Sequence, residues 1–238
     1  YFLAQEHTSL YKARNYAIEK SEGDFISFLD TDDLWDQKKL ELQISYFEKP
    51  DVGVVFSNLW IIKKNMNVKK LYSNKKLPSG DIYKNLIKNY NVGILTAVIR
   101  KTYYLKLEKK FDERFSMIGD FDLFLRLSKL CKFQSIQFPL ASYRLHGKNL
   151  TIVNKEKEVD EFEIWLDENK LNLDKHDVKN FQKNLNQRKF VNFKIDGNYL
   201  KSFKLLTNNK ISIFNIKNLI IFLIPNFFLK KILWWHQN

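Results

Sequence analysis

Apolar positions along the first 150 residues alternate between a helical and an extended rhythm. Leu10, Ala13, Ala17 and Ile18 fall on one face of a helix that Thr8 or Ser9 is placed to cap and Gly23 is placed to end. The run Phe25-Ile26-Ser27-Phe28-Leu29 then reads as a buried strand. A second helical stretch covers residues 34–48, and Pro50 precedes another apolar strand, Val52-Gly53-Val54-Val55-Phe56. Strand, helix and strand in this order predict a right-handed parallel crossover. Residues 63–80 are rich in Lys and Asn and carry Pro78 and Gly80, which predicts a surface excursion. Ile94-Leu95-Thr96-Ala97-Val98-Ile99 reads as a further buried strand, and residues 111–127 as an acidic loop turning into an amphipathic helix. Past Thr151 the pattern changes to helical periods over residues 158–169, 176–187 and 190–206, so the prediction is a domain over 1–151 and a helical region over 152–238.

Composition changes this picture only at its edges. With 238 residues and 45% hydrophobic content the chain can bury a core, which excludes a disordered protein. Its formal net charge of +13 favours polyanions, nucleotide phosphates or an anionic membrane surface. The Lys are scattered rather than interleaved with aromatics on one face, so no nucleic acid is expected as a partner. A single cysteine, Cys131, excludes an intrachain disulfide and a Cys-rich zinc site; beside Leu127 and Leu130 it reads as a buried structural thiol in a reducing compartment. The first residues have no basic run and no long apolar core and are not expected to be a signal peptide.

The chemistry is concentrated where the first strand runs into Asp30-Thr31-Asp32-Asp33. If the extended run persists that far, Asp30 and Asp32 share one side, and two converging carboxylates call for a cation. Hard oxygen ligands favour Mg2+ or Mn2+, which keep waters and take phosphate oxygens as further ligands. The alternative is that Asp33 or a neighbour caps the helix beginning at Leu34. Asp120 and Asp122 sit at the start of the later amphipathic helix, where capping again accounts for Asp122 but less easily for Asp120.

Six segments in order resemble family 2 glycosyltransferases of the GT-A fold: Ala13-Arg14-Asn15, Gly23-Asp24-Phe25, Leu29-Asp30-Thr31-Asp32-Asp33-Leu34-Trp35, Phe111-Asp112-Glu113, Asp120-Phe121-Asp122-Leu123-Phe124-Leu125-Arg126-Leu127, and Tyr143-Arg144-Leu145-His146-Gly147-Lys148-Asn149-Leu150-Thr151. The resemblance implies an α/β fold with a Rossmann-like, mostly parallel mixed sheet flanked by helices, followed by the helical C-terminal region. It implies transfer of a sugar, usually from a UDP-sugar, to an acceptor hydroxyl with inversion, in polysaccharide or lipopolysaccharide-type glycan synthesis. Asp30 and Asp32 match the family's metal-binding Asp-x-Asp motif, with Asp33 beside them. Asp120 matches its catalytic base, and Arg14, Arg144 and His146 match positions about the nucleotide-sugar. Many relatives carry Glu where this chain has Gly119, which bears on acceptor binding.

Relatives also begin with nucleotide-binding strands that have no counterpart here. Something like two strand-helix units, ~60 residues, is expected before Tyr1, and the chain alone is expected to bind UDP poorly. The apolar segment 218–235 is interrupted by Pro225 and too short to span a bilayer. Lys230 and Lys231 beside Trp234 and Trp235 suit an interfacial anchor, so residues 212–238 are read either as a peripheral membrane contact or as a tail helix packed on the domain. The expected place of work is cytoplasmic, peripheral to the inner face of the membrane, on a glycan or lipid-linked acceptor. Rival readings are an aspartyl phosphatase, which wants Thr or Val where Leu34 stands, a catalytically dead remnant, and a basic membrane-binding module.

Overall fold

The computed structural model describes residues 8–63, 68–146, 149–207 and 216–229. In chain order the first part contains α1 (Leu10–Lys20), β1 (Phe25–Ser27), β2 (Leu34–Trp35), α2 (Lys39–Ile44), β3 (Val52–Lys63), β4 (Val68–Leu71), α3 (Tyr83–Lys88), β5 (Val98–Arg100), α4 (Lys101–Leu105), α5 (Gly119–Leu127), β6 (Lys132–Arg144) and α6 (Leu150–Val153). The strands form one mixed sheet in the order β1-β5-β3-β6-β2, with β4 pairing the far part of β3. β3 and β6 run parallel over their length, and the other pairings are antiparallel. The sheet is thus the expected α/β mixed sheet, but it is not mostly parallel, since β3–β6 is its one parallel pairing among the described residues. The predicted crossover joins β1 to β3, which run the same way but have β5 between them.

The unbroken apolar run of β3 reflects burial on both faces. Val54, Val55 and Phe56 are fully buried. Phe124 of α5 and Phe56 of β3 both make T-shaped contacts with Phe133 in β6, at 6.3 and 6.4 Å between ring centres. Val52, Val55, Val98, Ile136 and Leu140 pack with Phe47 into one cluster. Gly53 allows β3 to lie against Cys131, because a Cβ there would fall 2.3 Å from the sulfur. Burial pushes the Cys131 thiol up to about 12, which makes it the inert structural thiol that its apolar neighbours predict.

Two local expectations are corrected. Leu34 and Trp35 are not the first turn of a helix but a short strand paired with Ser142 and Ala141. The helix starts only at Lys39, after a turn that Asp36 closes by accepting from the Lys38 amide at 2.9 Å. The stretch 94–99 is strand only in its last part, because the Thr96 hydroxyl and amide both donate to the Gly93 carbonyl, at 2.7 and 2.9 Å, and close a 3-10 turn.

A division between compact units falls between Val153 and Asn154. The second unit holds α7 (Lys155–Asn169), α8 (Lys175–Ile195), α9 (Tyr199–Thr207) and α10 (Ile216–Leu223). Asp174 caps α8 by accepting from the Asp177 amide at 2.8 Å. Phe181 of α8 packs on Trp165 and Phe162 of α7. The predicted break near residue 188 is absent: α8 continues to Ile195 and stops where Gly197 adopts φ 80°. Among the described residues no helix is long and apolar enough to cross a membrane. Lys230, Lys231, Trp234 and Trp235 lie outside the described residues.

Candidate active site

The acidic turn is built by long-range contacts rather than by strand alternation. The extended run ends at Ser27, and the Asp33 amide donates to the Asp30 carbonyl at 3.0 Å, closing a tight turn through Thr31 and Asp32. The condition under which Asp30 and Asp32 would share one side of a strand therefore fails, and each of the three carboxylates meets a different partner. Asp30 accepts from the Arg14 guanidinium at 3.1 and 3.5 Å. Arg14 is buried between the rings of Tyr11 and Phe28, 5.6 and 5.2 Å from their centres, so it is no surface arginine of an exposed helix face. Asp32 meets the His146 Nε2 at 2.7 Å, and that contact holds its carboxyl below the usual range.

Asp33 is the buried member of the three. Its Oδ1 accepts the Arg144 backbone N–H at 2.9 Å, and burial raises its carboxyl to about 6, with Asp32 and Asp30 adding to the rise. It does not cap the following helix. The Arg144 guanidinium donates to the backbone carbonyl of Asp32 and, at 3.5 Å, of Thr31. Asn149 ties the far side of this clamp: it accepts from the His146 amide at 2.8 Å and donates to the Arg144 carbonyl at 3.0 Å. The segment after β6 thus grips the acidic turn through backbone, guanidinium and imidazole together.

Asp120 stands apart from that turn, at the beginning of α5. Its Oδ1 accepts the Phe121 amide at 2.8 Å, and its Oδ2 accepts the Tyr90 hydroxyl at 3.1 Å. Burial raises its carboxyl above the usual range, while the Arg14 charge pulls it back. Arg14 therefore links the two acidic groups, bonded to Asp30 and within electrostatic reach of Asp120. The Asp120 amide donates to the Tyr11 hydroxyl at 3.3 Å. Gly119 permits this approach, since a Cβ there would fall 2.6 Å from a ring carbon of Tyr11. Asp122 is not a cap but an ion pair, with the Arg126 guanidinium at 2.6 Å.

Sequence reading missed three residues that shape this site. Asn15 is the clearest: its Oδ1 accepts from the Phe111 amide and the Tyr104 hydroxyl, both at 3.0 Å, and its Nδ2 donates to the Phe111 carbonyl at 3.0 Å and to Glu113 at 2.9 Å. It fastens α1 to the loop before Asp120. Two segments singled out for their order, Ala13-Arg14-Asn15 and Phe111-Asp112-Glu113, are thereby one contact. Tyr11 and Tyr90 are the others.

Among the described residues no group of three or more His, Cys, Asp or Glu side chains gathers to enclose a metal ion. The donors that are available are hard: the Asp30 and Asp32 side chains are 49% and 42% exposed. A Mg2+-like ion takes one or two carboxylates and completes its shell with phosphate oxygens and water. Asp30 and Asp32 are the exposed hard donors the turn offers such an ion, each already engaged, by Arg14 and by His146.

A family model described as "Glycosyltransferase like family 2" matches residues 3–191. The Escherichia coli protein named UDP-Glc:alpha-D-GlcNAc-diphosphoundecaprenol beta-1,3-glucosyltransferase WfgD is 35% identical over 149 residues, covering 62% of this chain and 55% of that protein. The amylovoran biosynthesis glycosyltransferase AmsB of Erwinia amylovora is 30% identical over 200 residues, covering 80% of this chain and 64% of its own length. The chain thus spans 55% and 64% of the length of these two relatives. The crystal structure of S. aureus TarS 1-349 in complex with UDP-GlcNAc shares the fold with a TM-score of 0.54 at 15% identity, over 84% of this chain and 58% of that one.

Proposed function

Because the chain belongs to the family 2-like glycosyltransferases, whose relatives include an undecaprenyl-diphosphate-linked glucosyltransferase and an amylovoran biosynthesis glycosyltransferase, we propose that it carries the site of an inverting transferase of glycan synthesis that uses a UDP-sugar and a divalent cation. The observation that supports the site assignment is that Arg14, bonded to Asp30 of the exposed acidic turn, also lowers the carboxyl of the half-buried Asp120 through its charge. Asp120 is the base. The acceptor oxygen bonds to the anomeric carbon, the bond from that carbon to the diphosphate oxygen breaks with its electron pair leaving on UDP, and the acceptor proton passes to Asp120. A carboxylate is a weak base toward an alcohol, so placement counts for more than resting basicity.

Asp32 and Asp30 would hold the Mg2+ or Mn2+, which would supply charge neutralisation for the departing diphosphate. Arg144 and His146 fix the turn and present cationic or donor groups on its diphosphate side, and Asp33 anchors it from beneath. The names of WfgD and of the TarS complex support a UDP-sugar donor and a lipid-linked acceptor. The test is UDP release by the full-length protein with a panel of UDP-sugars and an undecaprenyl-diphosphate-linked acceptor. Release that stops in EDTA, returns with Mn2+ and falls at least ~100-fold in Asp32→Ala is expected. Full activity in EDTA would remove the metal from the reading, and no release with any UDP-sugar would remove the donor.

We also infer that the C-terminal helices meet an anionic membrane from its cytoplasmic face. Leu200, Leu223 and Phe227 are 80%, 69% and 75% exposed, while residues 197–238 carry Lys201, Lys204, Lys210, Lys217, Lys230 and Lys231 and no acidic residue. The chain should float with phosphatidylglycerol vesicles and not with phosphatidylcholine vesicles, and Leu223→Asp with Phe227→Asp should abolish flotation. Equal recovery on both lipids, or no effect of the substitutions, would contradict the contact.

A further inference from the structure

The Asp120 carboxylate is held at both oxygens by groups of different origin. The Phe121 amide on Oδ1 belongs to its own helix, whereas the Tyr90 hydroxyl on Oδ2 arrives from the loop after α3. Tyr90 stands edge-on to Phe121, with ring centres 5.4 Å apart, so the phenol is braced by the same helix turn that it serves. Burial and the neighbouring carboxylate push the Tyr90 phenol well above its ordinary value, which keeps it a proton donor throughout the neutral range.

An aspartate held by one intrahelical bond can still rotate about its terminal torsion, because that torsion is broad and nearly two-fold. A second donor on the opposite oxygen removes the freedom. We propose that Tyr90 is the positioning residue of Asp120: it fixes the plane of the carboxylate and so sets the direction from which an acceptor hydroxyl can be deprotonated. This rests on the reading of Asp120 as the base. The other titratable or charged groups facing the pair are Tyr11 and Arg14 on α1 and Tyr72 after β4.

Tyr90→Phe keeps the ring against Phe121 and removes only the donor. The direct readout is the carboxyl titration of Asp120 followed by 13C NMR in the 238-residue chain, with the signal assigned by its loss in Asp120→Asn. Losing one hydrogen bond to the ionised form should raise the midpoint by about half to one pH unit. In transfer assays kcat should fall about tenfold, its acidic limb should move up by the same amount, and KM for the donor should stay within about twofold. An unmoved titration midpoint overturns the inference, as does a moved midpoint with unchanged kcat. If Asp120→Asn itself keeps wild-type kcat, the base assignment fails. If Asp120→Asn is inactive while Tyr90→Phe behaves as wild type, only the role of Tyr90 fails.

Discussion

Lys39→Met should stabilise this protein at neutral pH and lose that advantage as the pH rises. Lys39 is fully buried on α2, with its ammonium 3.2 Å from the Ser27 hydroxyl and 4.2 Å from the centre of the Trp35 ring. Burial lowers it from 10.5 to about 7. The unfolded lysine binds a proton below ~10.5 and the folded one only below ~7, so between these limits the unfolded state holds more protons and stability rises with pH. At ~1.4 kcal/mol per pH unit, the amine opposes folding by about 4 kcal/mol at pH 7 and about 2 kcal/mol at pH 9. Methionine keeps the stem volume and gives up the Ser27 bond, worth about 1 kcal/mol. The variant should therefore be more stable by about 3 kcal/mol at pH 7 and about 1 kcal/mol at pH 9. Urea unfolding of both proteins at pH 7, 8 and 9 measures the difference. A difference that does not change with pH, or a variant less stable at pH 7, would refute the reasoning.

Two further outcomes follow from the contacts around Asp120. Asn15→Ala removes four hydrogen bonds between α1 and the segment 104–113 and leaves the Phe111 amide unpaired, so it should destabilise by about 2–3 kcal/mol in urea unfolding; a loss below about 0.5 kcal/mol would show that the loop is held elsewhere. Gly119→Ala drives a methyl into the Tyr11 ring and should cost about 1–3 kcal/mol. Adding Tyr11→Leu should recover part of that loss, and strict additivity of the two changes would contradict the predicted clash.

How much could be read from the chain depended on how local each determinant is. The acids at Asp30–Asp33 and Asp120 stand in short runs whose chemistry is visible in place. Their geometry is not. The turn at Asp30–Asp33 is shaped by Arg144, His146 and Asn149 more than 110 residues away, and no periodicity links those positions. The helix expected at Leu34 was lost to β2 for the same reason, since pairing with β6 outweighs the local helical pattern. Tyr11 and Tyr90 carry no signal as single aromatics; their meaning lies in the carboxylate that each meets. The true C-terminal break was legible in principle, because Asp196-Gly197 is an ordinary helix stop.

The central claim is that Asp120 takes the acceptor proton while the acidic turn handles the donor. Single-turnover transfer by full-length Asp120→Asn, measured beside donor affinity for the same protein, separates the two jobs most directly. Transfer should fall by at least ~100-fold with the affinity for the UDP-sugar unchanged. Undiminished transfer, or a loss fully explained by weaker donor binding, would contradict the assignment.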